Sequence, residues 1–250
     1  MAAALISDIH ANLEALTQVL DDIRSRGIEE VYCLGDIIGY GPDPCACLDL
    51  IMERCVWSLM GNHDFAVLYE PTMFNASAEA ASYWTRRQLE LEPDEEKRRK
   101  RWEFLGNLSV RRTLGPALCV HASPRRPINE YIFPDDVITM PGKMSQIFDR
   151  IETRCYVGHT HHTGVFTDEP DFYPPADLGT AYKFNSEKCI VNPGSVGQPR
   201  DRDTRASYAI LTDEEVSFVR VEYDIQSVID KVKKIDQLND YLGLRLLEGR

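Results

Sequence analysis

The chain has 250 residues, 43% of them hydrophobic and 27% charged, with 28 Lys and Arg set against 40 Asp and Glu for a formal charge of −12. That length can bury a large core as one large domain or two small ones. The acidic balance argues against broad binding to extended nucleic acid, which needs a basic surface. A small phosphorylated partner stays open, because bound cations can reverse the local sign.

No run of eighteen apolar residues occurs, so no membrane-spanning helix and no membrane partner are expected. "MAAALISD" enters a strand directly, without the basic segment, apolar stretch and cleavage site of a secretory signal. "NLEALTQVLDDIRSRG" reads as an amphipathic helix, with Leu13, Leu16, Val19, Leu20 and Ile23 on one face and Gly27 closing it. "VYCLGD" is a second strand, "DPCACLDLIMER" a helix entered through Pro44, and "VWSLMGN" a third strand. Strands and helices alternating at this spacing imply a parallel sheet with right-handed crossovers.

Two helices, split at Pro93, are predicted over residues 75–106. The run Lys97 to Arg101 reads as a solvated helix face with Asp94, Glu95 and Glu96 as helix-spaced partners, rather than as an anion patch. Beyond Asn107 the chain is richer in strands: "SVRRTL", "ALCVHA", "RCYVGHT", "GVFTDE", "AYKFN", "CIVNPG", "SYAILT" and "VSFVRVEY", with helices at "GKMSQIFDRIE" and "SVIDKVKKIDQLNDYL". No repeat, low-complexity tract or linker interrupts it. Seven Cys are scattered without a CxxC pair, most of them in apolar runs, so buried free thiols and a reducing, cytoplasmic setting are expected.

Five of the six His (10, 63, 121, 159 and 161) stand where a predicted strand gives way to a loop, the position at which α/β folds gather functional side chains. Asp8, Asp36, Asn62 and Asp64 stand beside them. Asp8 could instead cap the helix that follows, and a lone His is more often a structural residue; the accumulation at strand ends favours a metal site. In an extended segment, residues two apart share a face, so Asp8 and His10 are expected to aim at one point, and His159 and His161 at one site or two. His together with Asp suits divalent transition metals, and Asp36 could bridge two of them.

The words "DIH" (8–10), "GD" (35–36), "GNHD" (61–64), His121 and "GHTH" (158–161), in this order, resemble the calcineurin-like metallophosphoesterase superfamily. "GDIIGYGPDP" and "NPGSVGQPRD" (192–201) are similar to its small bacterial and archaeal phosphodiesterase branch, which includes enzymes likened to diadenosine polyphosphate hydrolases. The resemblance implies an α/β (α+β) fold, a four-layer sandwich of two mixed sheets packed face to face with helices outside. It implies one metallophosphoesterase domain over residues 1–250, with a helical insertion at about 75–106.

For the site, the resemblance implies two divalent ions, Mn first, with Fe, Zn, Ni, Co or Mg also admitted. Asp8, His10, Asp36 and His161 would hold one ion and Asp36, Asn62, His121 and His159 the other. A hydroxide bridging the ions would attack the phosphorus of a phosphodiester or nucleotide-type substrate, since two cations lower the pKa of bound water. His63 becomes the candidate general acid, with Asp64 orienting its ring. His162 matches no ligand position. Gly39 and Tyr40 stand where protein phosphatases of the superfamily carry Asp and Arg, which argues against that activity, and Ala122 replaces a Gly common beside His121. Arg200, Tyr40 and Arg125 (or Arg126) are candidate substrate contacts, and "NPGSVGQPRD" a loop with backbone donors toward an anion. The competing readings are a non-catalytic scaffold of the same fold and a nuclease; oligomeric state is not readable.

Overall fold

The structure is a computed structural model that describes residues 2–250. Its first third alternates as the periodicity predicts: β1 (Ala3–Ile6), α1 (Leu13–Ser25), β2 (Glu30–Cys33), α2 (Pro44–Arg54), β3 (Trp57–Ser58) and α3 (Asn62–Leu68). Two longer helices follow, α4 (Ala76–Glu90) and α5 (Glu95–Gly106), then β4 (Arg111–Leu114) and β5 (Ala117–Val120). Next come α6 (Asp136–Thr139), α7 (Pro141–Phe148), β6 (Arg154–Tyr156), β7 (Gly164–Thr167), β8 (Asp171–Tyr173), β9 (Tyr182–Lys183) and β10 (Cys189–Asn192). The chain ends in β11 (Ala206–Leu211), β12 (Glu215–Val221), α8 (Ile225–Val232) and α9 (Tyr241–Leu244).

The strands form two six-stranded mixed sheets, ordered β3-β2-β1-β11-β12-β9 and β4-β5-β6-β10-β7-β8. β1, β2 and β3 run parallel, as do β5, β6 and β10, while the later strands add antiparallel edges. The alternation along β1 explains how the layers stack. Leu5 faces inward with Tyr32 and Leu34, meeting Ala117, Cys119, Tyr156 and Val191 of the other sheet. Ala4 and Ile6 face outward, under Leu16, Val19 and Ile23 of α1 and Leu48 and Ile51 of α2. On the far side Ile147 and Phe148 of α7 cover Val120, Cys155, Phe166 and Ile190. The result is helices, sheet, sheet, helices, as expected. Each fully buried Leu or Ile contributes roughly 1.5–3 kcal/mol relative to exposure.

Local chemistry sets several boundaries. Asn12, not Asp8, caps α1 by accepting the Ala15 N–H at 3.1 Å. α3 was not anticipated: "GNHD" reads as a strand end, but Asn62, His63 and Asp64 form its first turn. β8 was also unforeseen. The predicted C-terminal helix is broken, because turns at Lys233–Leu238 separate α8 from α9 and Asn239 turns back to the Tyr241 N–H.

The basic run divides. Arg99 and Lys100 pair with Glu103 and Glu96 at helix spacing on an exposed face. Arg101 is 4% exposed and clamps Asp49 of α2 with two hydrogen bonds and Glu92 with a third, which fastens α5 to the body. All seven Cys are free, as expected. No helix among the described residues is long and apolar enough to cross a membrane.

Candidate metal centre

The loops at the C-terminal ends of β1, β2, β5 and β6 meet, and with them the first turn of α3. Asp8 Oδ1 lies 3.2 Å from His161 Nε2 and 3.9 Å from His10 Nε2. Asp36 Oδ2 lies 3.7 Å from His10 Nε2 and 3.3 Å from His121 Nε2, so one carboxylate faces both halves of the cluster. Its other oxygen accepts the His63 N–H at 2.8 Å. The Asn62 amide oxygen is 3.2 Å from His121 Nε2. Asp8, His10, His161 form one group with all ligand atoms within 4.8 Å, and Asp36, His121, His159 another; His10, Asp36 and His63 make a third between them.

The pairs two apart do not share a face in the way expected. Asp8 (φ 55°), His10 (49°), Asp36 (54°), His159 (65°) and His161 (61°) all lie past the strands in left-handed conformation. Each such non-glycine position costs on the order of 1–3 kcal/mol, and this strain characteristically gathers at functional sites. It is held by backbone hydrogen bonds between the loops: Asp8 N–H to Gly35 O, His10 N–H to Asp36 O, and Gly197 N–H to Asp8 O, each 2.9–3.0 Å. Two glycines permit the approach. A Cβ on Gly61 would sit 2.0 Å from Asp36 Oδ1, and one on Gly158 would sit 2.6 Å from Asp8 Oδ2.

Hydrogen bonds to the backbone orient the rings. His121 Nδ1 meets the Leu34 carbonyl at 2.9 Å and His161 Nδ1 meets the Gln198 carbonyl at 2.5 Å. A carbonyl only accepts, so each Nδ1 carries a proton and each Nε2 faces a carboxylate, the position at which a second proton and a cation compete for it. His159 Nε2 is buried with no partner at all. Backbone N–H groups reach both Asp8 oxygens, from His159, and one Asp36 oxygen, from His63; beyond these, carboxylate oxygens, an amide oxygen and imidazole nitrogens crowd together with few donors between them. A divalent cation satisfies that set, and the residues fit one.

The ionisation pattern reflects the same crowding. Burial would raise the Asp8 and Asp36 carboxyls, but His161 holds Asp8 down and His121 holds Asp36 well below the usual carboxylate range. Burial would lower His121; Asp36 overrides it and lifts that imidazole to about 9. Burial pushes His159 down to about 3 and His63 down to about 4.

Several expected contacts take other forms. Asp64 makes no hydrogen bond to the His63 ring. Its oxygens accept the backbone N–H groups of Asp36, Ile37, Ile38 and Gly61 at 2.8–3.3 Å, so it builds the turn that carries Asp36. Burial and then the Asp36 charge push it up to about 7 against those donors. In the "NPGSVGQPRD" loop three successive donors are already taken: Val196 N–H bonds Ser7 O, Gly197 N–H bonds Asp8 O and Gln198 N–H bonds Ser195 Oγ. It braces the candidate ligands instead of facing an anion.

Arg125 is tied to Glu130 at 2.6 Å and to Gln146, whereas the exposed Arg126 lines a cavity beside the cluster. Arg200 is half-buried and rests on the neutral Gln198 amide at 2.7 Å. Tyr40 packs its ring against His10 (4.9 Å) and His63 (4.3 Å). His162 stays outside the cluster, bonded to the Thr160 carbonyl. Ala122 leaves His121 in the cluster, its own N–H bonding Pro127 O at 2.7 Å. The sequence reading missed Phe74, whose ring is 4.6 Å from His63, and Tyr131, stacked 4.0 Å from His159. Both come from loops with no motif; an aromatic in a polar segment was the only signal.

Residues 1–215 match the family model of the calcineurin-like phosphoesterase superfamily domain. An uncharacterized protein of Methanocaldococcus jannaschii is 39% identical over 256 residues, covering 99% of this chain and 98% of that one. The crystal structure of a metallophosphoesterase from Sphaerobacter thermophilus has a TM-score of 0.84 to this structure at 36% identity, with 100% of each chain covered. A symmetrical bis(5′-nucleosyl)-tetraphosphatase of Citrobacter koseri is 28% identical over 115 residues, 39% of this chain and 41% of that one.

Proposed function

Because this chain belongs to the calcineurin-like phosphoesterase superfamily, hydrolases that act on phosphoesters, we propose that it hydrolyses a phosphodiester or nucleotide-type substrate at a two-metal centre. The observation that supports this most is the convergence of two carboxylates, an amide oxygen and four imidazoles in one buried cluster, where His159 Nε2 has no partner. Asp8, His10, Asp36 and His161 would hold one divalent ion, and Asp36, Asn62, His121 and His159 the other. Manganese is the first expectation for the metal. Bound there, the ions supply Lewis acidity and a water acidified toward neutral pH as nucleophile.

The chain's own residues do the rest. Asp64 holds the Asp36 turn, and the Leu34 and Gln198 carbonyls hold the His121 and His161 rings. His63 protonates the departing ester oxygen. Its buried ring is neutral at rest, and the negative charge of an ester beside it favours the imidazolium. Arg200, half-buried beside the Gln198 amide and the Tyr40 hydroxyl, would meet a phosphate oxygen. The Citrobacter relative acts on bis(5′-nucleosyl) tetraphosphates by name, which favours small nucleotides as substrates over extended nucleic acid. We read residues 1–250 as one domain with a helical insertion at about 75–106, working in the cytoplasm, the setting that seven free thiols fit.

The test is hydrolysis of bis-p-nitrophenyl phosphate with added Mn²⁺, with and without a chelator, followed by nucleotides against a DNA oligomer. Metal-dependent turnover with nucleotides preferred is the expected result. An inactive, metal-loaded protein would establish a scaffold, and a preference for the oligomer a nuclease.

A further inference from the structure

A cavity of about 410 Å³ opens directly beside Asn62 and His159, within the roughly 300–1,000 Å³ that small-molecule sites occupy. One wall is Phe65, Ala66 and Phe74, from α3 and the segment after it; the other is Pro127 and Ile128, from the loop after β5. Val110 closes one side and is 37% exposed. The lining is mainly apolar, with Arg126 and Asn129 as polar groups at the exposed edge of one wall and Glu70 and Thr72 at that of the other. Tyr131 also lines the cavity, its ring already stacked with His159 at 4.0 Å and Phe133 at 5.2 Å. Phe74 has one ring neighbour among the described residues, His63 at 4.6 Å.

The contact between Phe74 and His63 gives the cavity a direction. If His63 delivers a proton to the departing oxygen, the group on that oxygen lies on the Phe74 side. We propose, resting on the phosphoesterase reading, that this cavity holds the aromatic base of a nucleotide leaving group stacked on Phe74, with Arg126 meeting a further phosphate. In the step itself water oxygen forms the new P–O bond, the P–O bond to the nucleotide breaks, and the proton goes to the nucleotide oxygen.

The lining decides the class. A sugar or polyol would find partners only at the rim, at Glu70, Thr72 and Asn129, and would press its remaining hydroxyls against Phe65, Phe74, Val110 and Ile128, which is unfavourable. An acyl chain would leave Arg126 and Asn129 unused. A heteroaromatic base has an apolar face for the walls and a polar edge for the rim, and stacking on an aromatic side chain is sequence-tolerant.

Calorimetry on the Mn²⁺-loaded protein tests this with the methylenephosphonate analogues of AMP and ribose 5-phosphate, in which CH₂ replaces the ester oxygen so that neither turns over. The AMP analogue should bind tighter by roughly tenfold or more, the usual worth of one stacked base. Phe74→Ala and Val110→Trp, the second filling the cavity, should bring the ratio toward one and leave the ribose analogue's affinity unchanged. Equal affinities in the wild type, or a ratio unaltered in both variants, would overturn the base site even if bis-p-nitrophenyl phosphate is hydrolysed. Absence of that hydrolysis would overturn the enzyme reading, while the affinity ratio still decides the cavity.

Discussion

The two ends of the sheets use left-handed backbone in opposite ways. At the N-terminal ends of β2 and β5, positive φ falls on Gly27 (71°) and Gly115 (56°), and a Cβ at either would meet nothing within 4 Å. At the C-terminal ends of β1, β2 and β6, Gly35 and Gly39 also take positive φ, but the same region is occupied as well by Asp8, His10, Asp36, His159 and His161, all buried. Glycine would relieve those positions, since it enters positive φ freely. Side chains persist there at a cost, and the cost is concentrated where carboxylates and imidazoles converge. One end of the fold is built for easy turning, and the other for placing particular atoms.

The sharpest break in that contrast is Asp36→Ala. Asp36 faces His10 and His121 with one oxygen, so under the proposed reading its loss empties both ion positions. Turnover of bis-p-nitrophenyl phosphate should fall by more than the roughly 10–100-fold that outer partners of a ligand contribute. Metal content of the purified variant, with circular dichroism as the check on folding, decides the matter. Full occupancy by two ions would remove Asp36 from the ligand set.

His63→Ala separates chemistry from ion holding within the same end. No proposed ligand is lost, so both ions should remain. Hydrolysis of esters with poor leaving groups should slow by roughly 10²–10⁴-fold, the usual worth of a general acid. p-Nitrophenyl esters need little protonation and should slow less. Equal slowing of both ester types, or loss of metal, would give His63 another task.

The contrast also marks what a sequence can display. The candidate ligands were readable because residue types and spacings survive as words: "DIH", "GNHD" and "GHTH" each keep neighbours that stay neighbours in space. Their geometry was not, because left-handed φ at Asp8 is held by backbone hydrogen bonds to loops as distant as residue 197. Asp64 was misread for the same reason. Its donors at Asp36, Ile37 and Ile38 lie 26–28 residues away, while His63 lies next to it. Arg101 sits in a run of exposed charge, and its burial comes with partners outside that run, Glu92 and, 52 residues back, Asp49. The cavity walls were invisible, since Phe74 and Ile128 meet only after the sheets assemble. The alternation in β1 and the face of α1, by contrast, are set within a few residues, and the layers followed them.

The finest comparison places one methyl group at each end. In Gly61→Ala the new Cβ would lie 2.0 Å from Asp36 Oδ1 and 2.3 Å from the Asp36 N atom, so the carboxylate must move. Ion affinity should fall by roughly 10–100-fold, as when a group orienting a ligand is lost. Titration calorimetry with Mn²⁺ reads it. In Gly115→Ala the methyl meets nothing, and only the strain of φ 56° remains. That should cost about 1–2 kcal/mol of stability, lowering Tm by about 2–8 °C for a chain of this size, with ion affinity unchanged. Gly115→Asn should recover part of the loss, because Asn enters the left-handed region more readily than Ala. If Gly115→Ala weakened ion binding as much as Gly61→Ala did, the two ends would not be separable in this way. The difference in backbone would then reflect the global stability of the sheets rather than the placing of Asp36.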